Sequence, residues 1–192
     1  MKKTIIAVCL LAAFTIACKK SKDPVPVTYP EETFLDGYLN QTGFAQKVTN
    51  LVNSGASEFG NEFVPTVKGS ITKLTVKLPD ANAALRITIW DKLTNAVLRT
   101  ETVNVVSANT TYIFDIADLA LTKDKEYAIT MNSDDWYNRT KNDGTNATYP
   151  ITVGNIRITT YKYANGSAQT YPTINPINYY AGDIAFVFQR TE

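Results

Sequence analysis

The chain has 192 residues, with 19 Lys and Arg against 18 Asp and Glu and no histidine, for a formal charge of +1. Balanced charge argues against nucleic acid, which calls for a basic face and many phosphate contacts. The absence of histidine removes Ser-His-Asp, Cys-His and histidine-metal chemistry by composition alone. Both cysteines, Cys9 and Cys18, lie near the N-terminus. The rest of the chain therefore offers no thiol for a disulfide, a zinc site or a nucleophile.

Lys2 and Lys3 precede an apolar run from Ile5 to Ala17, which ends in Thr15-Ile16-Ala17-Cys18. A basic start, a short apolar stretch and a small residue before the break form a secretory signal with a cleavage site. The run stops at Lys19, Lys20 and Lys22, short of the roughly 20 apolar residues that a membrane span needs. The pattern resembles a bacterial lipoprotein signal of the Bacteroidetes type, in which the cysteine is acylated and becomes the first mature residue. That resemblance implies a signal peptide over 1–17, lipid attachment at Cys18 and a place on the bacterial outer membrane, facing the periplasm or the cell surface. Several acyl chains, at about 0.8 kcal/mol per buried CH₂, exceed what stable anchoring requires. Loss of Lys2 and Lys3 with the signal leaves 17 basic and 18 acidic side chains, a mature sum of −1.

Residues 18–32 read as a tether. Pro24, Pro26 and Pro30 alternate with Val25, Val27 and Tyr29 behind the lysines, and prolines hold a chain extended. At about 3.1 Å per residue, the stretch from Cys18 to Pro30 reaches roughly 37 Å. Residues 33–192 then form one folded domain. Its first apolar signal is ambiguous: Phe44, Val48, Leu51 and Val52 have helical spacing, but β-branched residues and Asn53-Ser54-Gly55 favour a strand or irregular segment over a short helix.

From there the apolar period is two. Leu74, Val76 and Leu78 alternate with Lys73, Thr75 and Lys77, and Leu85, Ile87 and Ile89 alternate with Arg86, Thr88 and Trp90. The alternation returns at Val103 and Val105, at Tyr112, Phe114 and Ile116, at Tyr127, Ile129 and Met131, at Ile156 and Ile158, and at Ile184, Phe186 and Phe188. Such runs are half-buried strands, and turn clusters such as Pro79-Asp80-Ala81-Asn82 and Asn165-Gly166-Ser167 separate them. Short, evenly spaced strands without helix patterns between them predict an all-β, antiparallel β-sandwich, jelly-roll-like in its winding.

The series Glu58-Phe59-Gly60-Asn61-Glu62-Phe63-Val64-Pro65, then Gly69-Ser70-Ile71-Thr72-Lys73-Leu74, resembles the opening of a family of small bacterial β-sandwich modules of unknown function. Ile87-Thr88-Ile89-Trp90-Asp91, Val97-Leu98-Arg99-Thr100 and Asn109-Thr110-Thr111-Tyr112 are similar to its later strands. These modules occur in secreted bacterial proteins, often beside carbohydrate-active domains. The resemblance spans residues 57 to 131 and implies a sandwich with a sugar-binding or adhesive role; its motifs are structural and transfer no site.

Periodicity breaks between Met131 and Ile151, and a loop of that length in a compact domain is usually functional or disordered. Trp136, Tyr137 and Tyr149 supply rings that can stack on a sugar, and Asp134, Asp135, Asn138 and Arg139 supply acceptors and donors for its hydroxyls. The plain alternative is that these rings cap the core and the polar residues make turns. A second aromatic group, Tyr161, Tyr163, Tyr171, Tyr179 and Tyr180, reads either as a binding ridge or as cross-strand packing. Asn142-Asp143-Gly144-Thr145-Asn146 offers oxygen ligands for calcium but lacks the acidic twelfth position of an EF-hand. The carboxylate pairs Asp134 with Asp135 and Glu58 with Glu62 are nominal candidates for glycoside hydrolysis.

The sequence thus reads as a non-catalytic, envelope-anchored lipoprotein that binds glycan or another surface component through the Trp136 loop, with no cofactor and no metal implied. Its partners are the membrane, through the lipid, and a glycan or an envelope protein; nucleic acid is not among them. The rival reading is a structural or protein-interaction lipoprotein docked on an envelope partner, and a glycoside hydrolase ranks last.

Overall fold

The computed structural model describes residues 28–192; the expected signal peptide, Cys18 and most of the tether lie outside the described residues. In chain order the elements are β1 (Glu31–Thr33), α1 (Leu35–Thr42), β2 (Lys47–Leu51), β3 (Ser57–Pro65), β4 (Gly69–Lys77), β5 (Asn82–Asp91), β6 (Ala96–Val105) and β7 (Thr111–Leu121). They continue with β8 (Tyr127–Ser133), β9 (Trp136–Thr140), β10 (Ile151–Val153), β11 (Ile156–Asn165), β12 (Tyr179–Ala181) and β13 (Asp183–Arg190). Glu31 and Glu32, read as the end of the tether, pair with Gln189 and Phe188 in β1.

Two antiparallel sheets face each other, one in the order β1-β13-β4-β7 and one in the order β10-β11-β3-β8-β5-β6. The period-two pattern explains why: Leu74, Val76, Ile184, Phe186 and Phe188 turn inward from one sheet, and Phe59, Phe63, Ile87, Ile89, Ile129 and Met131 from the other. The layers meet at Phe63 and Phe186, whose ring centroids are 4.7 Å apart. The chain crosses between sheets at β3–β4, β4–β5, β6–β7 and β7–β8, so the fold is the all-β antiparallel sandwich that the alternation predicts.

A third sheet, β12-β9-β2, packs at one end. It corrects the reading of 132–150 as one long loop, because Trp136–Thr140 is the central strand of that sheet, paired with Tyr179–Ala181 on one side and Lys47–Leu51 on the other. The ambiguous segment after Phe44 is a strand, as its β-branched residues favour. Helix α1 was not foreseen. It is eight residues long and buries only Tyr38, Leu39 and Thr42, too few turns for an apolar stripe to repeat. Gly43 ends it in the left-handed conformation, φ 80°, with its N–H donating to the Asn40 carbonyl.

Candidate functional site

β9 distributes the expected loop residues over opposite faces. Trp136 sits edge-on to Phe59, with centroids 5.4 Å apart. Tyr137 is buried, and its hydroxyl is within hydrogen-bond reach of Asn109 Oδ1 (2.7 Å) and the Leu78 carbonyl (3.1 Å). Arg139 donates from Nε and Nη2 to the two carboxylate oxygens of Asp183, both at 2.6 Å. Asp135 is buried and accepts the Asn53 N–H at 2.8 Å; burial pushes its carboxyl above the ordinary value, against the pull of that hydrogen bond. Asp134 accepts the Ser54 N–H through its carbonyl at 2.8 Å, and Asn138 pairs with Thr49 and Ala181. Tyr149 is half-buried, its hydroxyl 2.6 Å from that of Tyr38, and burial raises it to about 12. The seven residues therefore do not share one surface: Trp136, Tyr137 and Arg139 hold the end sheet to the sandwich, Asp134, Asp135 and Asn138 bond within the end sheet and the loop after β2, and Tyr149 bonds Tyr38 of α1.

Trp136 instead joins the second aromatic group. β11 places Tyr161 and Tyr163 on one face, β12 adds Tyr179, and with Trp136 and Phe59 they line a cleft of about 170 Å³. Tyr179 lies 6.0 Å from Tyr161 and 6.3 Å from Tyr163 between centroids. The polar lining is Ser54, Ser57 and Asn165, so every side chain in the cleft is uncharged. Burial, and after it the neighbouring Tyr163 hydroxyl, push the Tyr179 hydroxyl above its ordinary value. Gly182, at φ 84°, makes the sharp turn from β12 into β13; a Cβ there would strike the Phe59 ring beneath the cleft. Of the remaining tyrosines in that group, Tyr180 is fully buried beside Tyr38 and Tyr161, and Tyr171 lies elsewhere.

The outer face of β3 carries a polar network that sequence reasoning left as a bare carboxylate pair. Glu58 receives Arg86 Nη2 at 2.7 Å and the Thr130 hydroxyl, which in turn accepts the Trp90 indole N–H at 2.8 Å. Glu62 is bonded to Lys162 (2.7 Å), Lys92 (3.1 Å) and the Tyr171 hydroxyl (2.7 Å). Burial alone would raise the Glu62 carboxyl, but those hydrogen bonds outweigh it and hold it below the ordinary value. The segment 166–178 crosses this face: Tyr171 packs edge-on to Trp90, 5.6 Å between centroids, and Gln169 Nε2 donates to Thr88 at 3.0 Å. Four residues along a strand separate Glu58 from Glu62 by about 13 Å, beyond the roughly 5 to 9.5 Å that glycoside hydrolysis uses. Their matching parity on one strand was the available signal for a shared face.

No family model matches the chain. No curated protein matches it by sequence either, so the functional reading rests on the geometry of the site. Among the described residues no helix is long and apolar enough to cross a membrane, and no group of three Asp, Glu, His or Cys side chains is placed to hold a metal. Asp143, the acid of the calcium reading, accepts the N–H and hydroxyl of Thr145 at 3.0 and 2.8 Å within its own turn.

Proposed function

We propose that this chain is a non-catalytic lipoprotein of the bacterial outer membrane that binds glycan by seating a sugar ring in the cleft of Trp136, Tyr163 and Tyr179. The observation that carries this reading is the cleft's composition: aromatic faces for the apolar side of a pyranose, with Ser54, Ser57 and Asn165 for its hydroxyls and no charge to desolvate. At about 1 kcal/mol for each ring contact and each net hydrogen bond, four or five contacts support binding near the millimolar level. Anchored copies facing a polymeric glycan gain avidity beyond that. The anchor is supported by the signal pattern that ends at Cys18. A titration of a polysaccharide panel against the protein tests the reading, with Trp136→Ala expected to weaken the hit at least about fivefold.

A protein-docking role is the second reading. It is favoured by β6 and β7, the outermost strands of their sheets, which expose Val97, Leu98 and Ile113.

A further inference from the structure

We propose that the groove between α1 and the outer face of the four-stranded sheet is a second binding site, for a small zwitterion of which a free amino acid is the simplest case. The groove encloses about 330 Å³, at the small end of the range for small-molecule sites. It is distinct from the aromatic cleft and, unlike it, is lined by charge.

Past the bulge between Ile71 and Lys73, Thr75 and Lys77 of β4 alternate with the buried Leu74 and Val76 and point outward, so Lys77 stands beside Asp183 of β13 and Thr111 of β7. Arg139 reaches the same groove from β9. Its Nε and Nη2 are both taken by Asp183, which cancels its charge and leaves Nη1 as a spare donor. The ring of Tyr137 carries both cations, Lys77 Nζ at 5.5 Å and the Arg139 guanidinium at 5.7 Å from its centroid. Cation–π contact holds Lys77 without consuming any of its three N–H donors. On the helix side stands Asp36, exposed at the start of α1. Among the described residues, neither Lys77 nor Asp36 has an opposite charge within 4 Å.

One groove thus holds a cation and an anion that are too far apart to neutralise each other, beside apolar surface from Leu35 and Ile113, the latter 62% exposed. A simple anion would satisfy Lys77 and face Asp36; a simple cation would do the reverse; a neutral sugar would use neither charge. A zwitterion uses both. Its carboxylate accepts from Lys77 Nζ and Arg139 Nη1, its ammonium donates to Asp36, and an aliphatic side chain covers Leu35 and Ile113.

The test titrates the full chain, in non-denaturing detergent, with leucine, N-acetylleucine and leucinamide, following amide shifts by NMR. Leucine saturates, and each blocked analogue binds at least tenfold more weakly. Asp36→Asn removes the preference for leucine over N-acetylleucine, and Lys77→Met removes the preference over leucinamide. Both substitutions lie outside the core, and far-UV circular dichroism verifies the fold. Failure of leucine to saturate by about 10 mM, equal binding of the three compounds, or unchanged selectivity in both variants overturns the proposal. Because this site is separate from the aromatic cleft, none of these results bears on glycan binding.

Discussion

Replacing Arg139 with methionine should be among the most destabilising changes outside the hydrophobic core. The Arg139 and Asp183 side chains are only 13% and 4% exposed, and their pairing ties β9 of the end sheet to β13 of the sandwich. Arg139→Met keeps most of the side chain's volume but leaves Asp183 as a buried carboxylate without its cation. Breaking a buried pair from one side costs about 3–5 kcal/mol. For a domain of this size each kcal/mol corresponds to about 2–4 °C, so the melting temperature should fall by roughly 6–20 °C. Urea denaturation is the assay: the midpoint should drop with an unchanged slope, because the surface exposed on unfolding is the same. The double variant Arg139→Met/Asp183→Leu removes both charges and should recover much of the loss, a coupling that a cycle measures directly. A loss below 1 kcal/mol in Arg139→Met, or strict additivity in the double variant, would refute the claim that this pair fastens the end sheet.

The buried tyrosines set the alkaline limit. Burial raises Tyr149 to about 12 and pushes Tyr38, Tyr161 and Tyr180 well above their ordinary value. These folded values exceed the unfolded value near 10, so the stability they carry is complete below pH 10. It is lost above pH 10 at about 1.4 kcal/mol per group per pH unit. Ultraviolet titration should show part of the 11 tyrosines ionising only as the fold opens; simultaneous ionisation near pH 10 in folded protein would contradict this. Glu62 works in the opposite direction. Its depressed carboxyl stabilises the fold above the unfolded value of about 4.3 and loses that contribution as pH falls through the folded value. Glu62→Gln should cost about 1–3 kcal/mol at neutral pH and flatten the acid limb of the stability profile; an unchanged acid limb counts against the network. Cys18→Ala should abolish incorporation of a fatty-acid probe, and persistent labelling would remove the anchor.

The sandwich was legible wherever one face of a strand meets the core and the other meets water, as at Leu74, Val76 and Leu78 or Ile184, Phe186 and Phe188. β9 was hidden because its inward Arg139 is polar, and only its bond to Asp183, 44 residues away, makes that position tolerable in a packed strand. α1 was hidden by its length. β3 is buried along all nine residues, although Glu58 and Glu62 mark its outer face as polar; the cover comes from the distant segment 166–178. The cleft was half legible. Trp136 and the pair Tyr163 and Tyr179 stood out as two separate aromatic groups, and their meeting depends on β9, β11 and β12 converging, which no local period records.

The central claim is that Trp136, Tyr163 and Tyr179 hold a sugar ring. The most direct measurement is Trp136 fluorescence during titration with neutral oligosaccharides, since the other tryptophan, Trp90, is buried at 3% exposure on the far side of the six-stranded sheet. A saturable change is expected near the millimolar level, weakened about fivefold in Tyr163→Ala, as loss of one ring contact of about 1 kcal/mol requires. No saturable change with any oligosaccharide, or an affinity indifferent to Tyr163→Ala, would contradict the assignment of this cleft.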